Sequence, residues 1–376
     1  MWHTVALCIV LMFGLARASA DSWEDCNQAG DIDRAAPEVA DRAIRACTEI
    51  IDQGDEASHK LALAYSNRCE ANSQKNDDDR ALADCDKAIE LDPKFARDYA
   101  NRCYAYINKK DFDQALADCD KAIELDPKFA RAYSDRCNVR NEKKDYDQAL
   151  ADCDKAIELD PKSRAYVNRT WTYGMMGHYD RALADSDKAI ELDPKDARPY
   201  INRGWIYNMK KDYGRSISDC NKAIELDPKI PIAYNNCCSA YNNKNDHSRA
   251  IAYCDKAIEL DPKFASAYRN RCWGRAIVGQ LQQGLADCNE ALRLEPNDPN
   301  ALDSRGLIFL KLSDFDRAIA DYDATLKLDP KYAGSLYGRG IAKLRKGVTS
   351  DGNADIAASK AIKPDIAEEF VGYGVK

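Results

Sequence analysis

Cysteine is the residue type whose spacing in this sequence points most directly to chemistry. The chain contains fifteen cysteines, and ten of them form five pairs in which the partners are sixteen residues apart. Cysteine side chains can form disulfides, hold a metal ion or carry out redox catalysis. The five pairs are Cys69 and Cys85, Cys103 and Cys119, Cys137 and Cys153, Cys238 and Cys254, and Cys272 and Cys288.

The two members of a pair are kept or lost together, with the exception of Cys220, whose first-helix counterpart is Gly204. Where Thr170 takes the first position, Ser186 takes the second, and Gly306 is likewise accompanied by Tyr322. No CxxC motif or Cys/His cluster occurs, which disfavours a metal site, and redox catalysis would need an exposed thiol at a cationic helix start. Joint loss is what bonded residues would show, so we predict disulfides. The alternative that stays open is cysteine used as a small buried residue.

The elements that must position these cysteines belong to a repeat with a period of about 34 residues. Within each period, apolar residues at three- and four-residue steps predict two helices, such as 96–109 and 112–125. Because proline cannot continue a helix, Asp126-Pro127 ends the second one. This pattern predicts an all-α solenoid of helix pairs. The recurring prolines are Pro93, Pro127, Pro161, Pro194, Pro228, Pro262, Pro296 and Pro330.

Residues sixteen apart lie level with each other in an antiparallel helix pair whose turn falls midway between them. Helix axes about 8–10 Å apart, less two Cα radii of about 2.3 Å, bring facing Cα atoms to about 4–5 Å, and disulfides accept about 4.4–6.8 Å. We further predict that Cys220 pairs with Cys237 across Pro228, and Cys26 with Cys47 near the N-terminus. Seven disulfides result.

Charged residues follow the same sixteen-residue spacing. Seven repeats combine an arginine in the first helix with an aspartate in the second, whereas Cys237 and Tyr253 replace them in one repeat. We predict a structural ion pair within each repeat, with the arginine stem covering apolar surface. Pairing of an aspartate with the next repeat's arginine stays open. The pairs are Arg68–Asp84, Arg102–Asp118, Arg136–Asp152, Arg169–Asp185, Arg203–Asp219, Arg271–Asp287 and Arg305–Asp321.

Residue patterns typical of enzymes do not occur in the sequence. Beyond residue 20 the only histidines are His59, His178 and His247, and no HExxH, GxSxG or GxxxxGK[ST] motif is found. The formal net charge of −8 disfavours nucleic acid as the main partner. We therefore predict a protein that is not an enzyme and that uses no cofactor and no metal ion.

One repeat carries an aromatic residue, an Arg-Gly pair and a tyrosine in its first helix, and the second helix before it has two small alanines and a closing proline. These residues are Tyr200, Arg203, Gly204, Tyr207, Ala182, Ala189 and Pro194. The pattern resembles the tetratricopeptide repeat of exported bacterial proteins, and the resemblance covers about residues 62–345. It implies antiparallel helix pairs wound into a right-handed superhelix, with a concave groove lined by the first helices and used to bind proteins or peptides.

The chain is predicted to be exported. Residues 1–20 resemble a secretory signal peptide that ends at the small residues Ala18-Ser19-Ala20, and no run of 18 apolar residues could span a bilayer. An irregular helix pair (21–60), eight repeats (62–330) and a degenerate repeat with a capping helix (331–376) follow. Removal of the signal peptide leaves fourteen cysteines, an even number typical of an oxidising compartment. The predicted location is therefore the periplasm or the cell exterior.

By this resemblance, the residue before each repeat's arginine faces the groove. Asparagine there can bond to an extended peptide backbone, and aromatic residues follow three positions later, beside Met175 and Met209. Solvated or locally capping asparagines, and tryptophans packed in the core, are alternatives that stay open. Residues 163–230 are predicted to set specificity. The predicted peptide-binding residues are Asn67, Asn101, Asn168, Asn202, Asn236, Asn270, Tyr104, Trp171, Trp205 and Trp273.

The predicted function is a non-catalytic scaffold that binds peptide segments of protein partners outside the cytoplasm, and envelope assembly is one role that it could serve. The family's clamp for carboxylate tails is disfavoured because Arg269 is the one basic residue that precedes an asparagine of this row. Two alternatives stay open. One is a structural or surface-attachment protein that uses its convex face. The other is a cytosolic co-chaperone that retains residues 1–20. The sequence indicates no oligomeric state.

Overall fold

A computed structural model describes residues 22–28, 37–53 and 58–375 of the protein. These residues form 21 helices packed in adjacent pairs, and they form no strand, which confirms the all-α class. The predicted signal peptide lies outside the described residues. The helices are α1 (22–27), α2 (Pro37–Gln53), α3 (Ser58–Gln74), α4 (Asp78–Leu91), α5 (Ala96–Asn108), α6 (Phe112–Leu125), α7 (Ala130–Glu142), α8 (Tyr146–Leu159), α9 (Ser163–Met175), α10 (Tyr179–Leu192), α11 (Ala197–Met209), α12 (Tyr213–Leu226), α13 (Pro231–Asn243), α14 (His247–Leu260), α15 (Ala265–Val278), α16 (Leu281–Leu294), α17 (Pro299–Lys311), α18 (Phe315–Leu328), α19 (Ala333–Arg345), α20 (Thr349–Ile362) and α21 (Ile366–Gly372).

Each first helix is joined to its second helix by a tight turn that contains a left-handed residue. In the α5–α6 turn, Lys110 has φ 61°, a conformation that closes the end of a helix. The next residue, Asp111, caps α6 by accepting a hydrogen bond from the backbone N–H of Gln114 at 3.3 Å. The other left-handed turn residues between first and second helices are Asn76, Lys144, Gly177, Lys211, Asn245, Gly279, Ser313 and Gly347.

Each second helix of the regular repeats ends at an acidic residue followed by proline, in a connection that makes its own hydrogen bonds. In the connection from α6 to α7, the Asp126 carboxylate accepts a hydrogen bond from the backbone N–H of Lys128 at 2.9 Å. The Tyr133 hydroxyl of α7 donates to the carbonyl of Pro127 at 3.3 Å. These two hydrogen bonds hold the connection between the second helix of one repeat and the first helix of the next.

Small residues and disulfides fill the space between paired helices. Seven disulfides join fourteen buried cysteines in the pairs listed above, and the five bonds within repeats have Cα–Cα distances of 5.4–5.6 Å. Cys26 and Cys47 join α1 to α2 with a Cα–Cα distance of 4.9 Å. Cys220 and Cys237 differ, because they join α12 of one repeat to α13 of the next, at 5.6 Å.

The seven predicted Arg–Asp ion pairs are confirmed, and each arginine binds both oxygens of the aspartate in its own repeat. An eighth pair, Arg339–Asp355, has the same geometry. Arg102 also donates from Nη1 to Asp86 of the preceding second helix at 2.7 Å. Arg102 therefore bonds to two repeats at once, and the aspartate that it reaches in the preceding repeat is Asp86, whereas Asp84 is bound by Arg68 of its own repeat.

The chain divides into two compact units, residues 1–192 and 193–376. The described part of the N-terminal unit holds α1–α10 with four disulfides, and that of the C-terminal unit holds α11–α21 with three. In each unit the first helices of successive repeats contact one another and form a continuous row. We call the surface of this row the first-helix face. The sequence pattern divides the chain by repeat type, into residues 21–60, 62–330 and 331–376. These boundaries differ from those of the two compact units, and they stay predictions.

The degenerate last repeat is more regular than the sequence suggests. The polar residues 347–353 predict a long loop between its helices, but α20 already begins at Thr349, so this prediction was wrong. The physical reason is glycine packing. A Cβ atom at Gly352 would lie 2.9 Å from the carbonyl oxygen of Gly340, so two glycines allow α19 and α20 to approach closely from the first turn of α20.

Candidate functional site

The predicted row of asparagines lies on the first helices, and most of its amide groups are used within the chain. Asn101 donates from Nδ2 to the carbonyl of Ser66 at 3.3 Å. Asn168 binds the carbonyl of Ser134 in the same way at 2.9 Å. Both bonds connect the first helix of one repeat to the first helix of the repeat before it. The row therefore links neighbouring repeats.

The remaining members of the row follow this pattern with different acceptors. Asn67 donates to Asn27 Oδ1 at 3.0 Å, Asn236 to the carbonyl of Ile201 at 3.1 Å, and Asn270 to Asn235 Oδ1 at 2.9 Å. Asn202 is half-buried. Asn67 and Asn101 are almost fully buried, so neither can reach a ligand without a movement of the helices. A peptide-binding role for the row stays a prediction, and it rests on the more exposed members.

The predicted aromatic residues are half-buried on the same first helices. The Arg164 guanidinium lies 5.1 Å from the ring centre of Tyr104, a cation–π distance. Trp273 contacts the C-terminal part of the chain, with its ring 5.0 Å from that of Tyr373. Trp171 and Trp205 occupy the same position in α9 and α11. Of the neighbouring apolar residues, Val167 and Ile201 are buried, whereas Met175 and Met209 are 41% and 45% exposed.

A row of arginines that the sequence analysis missed lines a cavity of about 450 Å³ in the N-terminal unit. Arg97, Arg131 and Arg164 each occupy the second position of a first helix, in α5, α7 and α9. The signal that could have found them is the recurrence of Arg-x-Tyr at the start of these helices. Phe129 and Leu159 supply apolar parts of the wall.

The charges of these arginines are largely compensated within the chain. Glu70 binds Arg97 and Arg131, each at 2.8 Å, and the fully buried Asp135 pairs with Arg131 and Arg164. Burial by itself would raise the pKa of Glu70, but the guanidinium groups of Arg131 and Arg97 outweigh it and hold the pKa below its ordinary value. The cavity is therefore an internal ion network more than a free anion site.

A second cavity, of about 630 Å³, lies on the first-helix face of the C-terminal unit. Trp273 and Leu307 line it from α15 and α17, and Phe370 of α21 forms part of its wall. Burial raises the pKa of Asp303, another lining residue, to about 6, although the hydrogen bond that it accepts from Ser335 Oγ at 2.6 Å acts in the opposite direction. The cavity thus combines aromatic walls with two half-buried carboxyl groups, those of Asp303 and Glu369.

Neither cavity presents the groups of a metal centre. Across residues 22–28, 37–53 and 58–375, no three His, Cys, Asp or Glu side chains are grouped so that they could hold a metal ion. None of the helices described above is long and apolar enough to cross a bilayer. What the two surfaces offer is aromatic, aliphatic and amide groups for contact with another molecule.

Paired helices in a 34-residue repeat, with an aromatic first-helix face, define an α-helical repeat protein of the kind that binds partners along a surface. Family comparison is more specific, because tetratricopeptide repeat profiles together match more than half of the chain. The chain belongs to the tetratricopeptide repeat family, whose members are generally non-catalytic scaffolds for protein–protein interaction. The matched residues are 96–129, 130–163, 163–196, 187–217, 231–264, 278–333 and 304–358.

Solved structures with the same fold include distant relatives. The chain is similar to a chain in the crystal structure of the APC/C hetero-tetramer Cut9–Hcn1, with a TM-score of 0.63 and 14% identity, over 91% of this chain and 84% of that chain. A tetratricopeptide repeat protein from Parabacteroides merdae matches with a TM-score of 0.50 and 17% identity, over 66% and 99%. At these identities the likeness shows the fold alone. Comparison with curated proteins gives no match.

Proposed function

We propose that the protein is an exported, non-catalytic scaffold that binds a segment of a partner protein on its first-helix faces. The observation that carries this proposal is a Trp–Met pair at the same position in two first helices. Trp171 and Met175 lie one turn apart in α9, as do Trp205 and Met209 in α11. Large apolar groups exposed on a repeat surface, as both methionines are, favour a contact site for a partner.

The disulfides support the exported part of the proposal. Seven bonds use every cysteine of the described residues, and disulfides persist in oxidising compartments such as the periplasm or the cell exterior. A cytosolic co-chaperone would keep these cysteines reduced. The charge network of Glu70 and Asp135 around the arginine cavity also speaks against a co-chaperone that captures carboxylate tails, because those guanidinium groups already have partners.

The location can be tested by the intact mass of the protein purified from its source after alkylation, with and without reductant. Export predicts a mass that lacks residues 1–20 and that gains no alkyl groups unless reductant is added. Retention of residues 1–20 together with free thiols would contradict export and favour the cytosolic alternative.

The binding surface can be tested by crosslinking and capture of partners from the envelope fraction. We expect the double variant Trp171→Ala and Trp205→Ala to lose the partners that the parent protein captures, because large aromatic groups dominate binding energy at such surfaces. The matched control is Leu328→Ala, since Leu328 is also apolar and is 48% exposed, but lies on the second helix α18. The opposite result would be loss of capture in Leu328→Ala and normal capture in the double tryptophan variant. It would favour the surface-attachment alternative, in which the second helices make the contact.

A further inference from the structure

The C-terminal segment, residues 363–375, lies on the first-helix face of the C-terminal unit. Its helix, α21, is amphipathic: Ile366 and Phe370 are 2% and 4% exposed, whereas Val371 is 70% exposed. Tyr373 follows on the buried side. The spacing of Ile366, Phe370 and Tyr373 is that of one face of a helix, with steps of four and three residues.

The contacts of this segment reach three first helices. The ring of Phe370 lies 4.8 Å from that of Tyr337 in α19, and the ring of Tyr373 meets Trp273 of α15 edge-on at 83°. Between them, Lys311 of α17 donates from Nζ to the carbonyl of Tyr373 at 2.7 Å. The segment therefore runs across the face, in the way that a bound peptide would.

The position of α21 differs from that of a cap on the last repeat. A cap would cover the outward side of the final second helix, α20. That side stays open, since Ala357 and Ala358 are exposed and Ile362 is 47% exposed. The segment covers instead an aromatic surface built from α15, α17 and α19.

Several features make this contact suited to exchange. α21 has only seven residues, and isolated helices shorter than about 12 residues are marginal in water. Its docking depends on a few apolar side chains and on the short connection to α20, which keeps its local concentration high. The cavity of about 630 Å³ continues along the face to Met209 of α11 and Ser239 of α13, so the surface is longer than the helix that lies on it.

We infer that the first-helix face of the C-terminal unit is a receptor for an amphipathic helix with the pattern Ile-x-x-x-Phe-x-x-Tyr, and that residues 363–375 occupy it in competition with such a helix from a partner. This inference rests on the proposed scaffold function and names the kind of segment that the C-terminal unit binds. Recognition of an amphipathic helix through anchors at these spacings is a general mode of peptide binding.

The test uses the full chain and a labelled synthetic peptide of residues 363–375, whose binding is followed by fluorescence anisotropy. Phe370→Ala removes the main anchor of the internal segment, so we expect the variant to bind the peptide about tenfold or more tightly than the parent protein does. Adding Trp273→Ala to this variant should abolish the gain. Val371→Ala is the matched control, because it shortens an exposed residue of the same helix and should bind like the parent.

Two further measurements keep the test decisive. Tyr373→Ala should also increase peptide binding, which guards against a folding defect specific to Phe370→Ala, and circular dichroism should show parent-like helicity in both variants. If folded Phe370→Ala and Tyr373→Ala bind the peptide no better than Val371→Ala, the segment is a permanent part of the fold and the inference is overturned. Because the peptide comes from this chain, that result leaves partner capture by Trp171 and Trp205 untouched.

Discussion

At the scale of single residues, the repeating arginine makes contacts with several parts of the structure at once. Arg102 makes a two-pronged bond to Asp118, with both distances at 2.7 Å, donates to Asp86 of the previous repeat, and lies 5.7 Å from the ring centre of Tyr99. Guanidinium geometry suits this task because its donors form a planar fork. One side chain thus neutralises a buried carboxylate and connects two repeats.

Two of these arginines form a natural comparison. Asp118 is 6% exposed and is bound by Arg102, whereas Asp152 is 3% exposed and is bound by both Arg136 and Arg140. We expect Arg102→Ala to lower the free energy of unfolding by about 3–5 kcal/mol, since it leaves a buried charge uncompensated. Arg136→Ala should cost clearly less, because Arg140 remains beside Asp152.

Urea unfolding of both variants under oxidising conditions, followed by circular dichroism, measures this difference. The comparison is well matched, since Arg136 also binds an aspartate of the previous repeat, Asp120, and also lies against a tyrosine, Tyr133. Equal losses in the two variants would show that these shared contacts, and not the unpaired carboxylate, determine the cost.

A buried carboxyl group with little compensation, that of Asp98, lowers the stability of the fold when it ionises. Asp98 of α5 is fully buried, and the effect of this burial outweighs the opposing effects of the Ser66 hydroxyl and the Arg97 guanidinium. Burial raises the pKa of Asp98 to about 6. Because this pKa lies above that of the unfolded chain, about 3.9, ionisation costs stability. The folded state is favoured below pH 4, and this contribution is lost as the pH rises through 6.

We expect Asp98→Asn to remove this pH dependence, because the amide does not ionise. The shift corresponds to at most about 3 kcal/mol at pH 7, so the variant should be more stable than the parent at pH 7 and similar to it at pH 4. Thermal unfolding of both proteins between pH 4 and 7 gives the difference between their melting temperatures at each pH. The effects of the other titrating groups cancel in this difference. A difference in melting temperature that stays constant over this range would contradict the assignment to Asp98.

At the scale of helices, two different bonds perform the same task. In most repeats an arginine of the first helix reaches back to the preceding second helix, but where Cys237 replaces that arginine, a disulfide to Cys220 makes the connection. Tyr253 takes the place of the paired aspartate and donates to Asn221 Oδ1 of the preceding repeat at 2.8 Å. The helix α13 therefore stays bound to α12 although the ion pair is absent.

These bonds also show how much of the fold the sequence predicts. The position of each arginine and aspartate could be predicted because both lie within one repeat, where the helix period fixes which residues face each other. The contact from Asn101 to Ser66 was missed because it depends on how successive repeats stack. The position of α21 was missed for a related reason. The apolar side of α21 fits any apolar surface within its reach, and only the packed structure selects Trp273 and Tyr337.

At the scale of the whole molecule, covalent bonding respects the division into two compact units. The four bonds that begin with Cys26–Cys47 lie within residues 1–192, and the three that begin with Cys220–Cys237 lie within residues 193–376. The division falls at Asp193, in the connection between α10 and α11, so it separates complete helix pairs. Each unit therefore contains the disulfide partner of each of its described cysteines and the first helix that pairs with each of its second helices.

We expect residues 193–376, produced alone in an oxidising compartment, to fold and to unfold in one cooperative transition.

The matched control is residues 212–376, which contains the same six cysteines but lacks α11. This fragment loses the Arg203–Asp219 ion pair, at 2.7 Å, and the close packing of Gly204 on Asp219. Disulfide bonding is equal in the two fragments, so any difference in melting temperature reports helix packing. We expect the longer fragment to melt at the higher temperature, with more helix per residue by circular dichroism. If the two fragments melt alike, the disulfides rather than the helix pairs set the stability of this unit. If the longer fragment is unfolded with its three disulfides formed, the compact unit does not fold on its own.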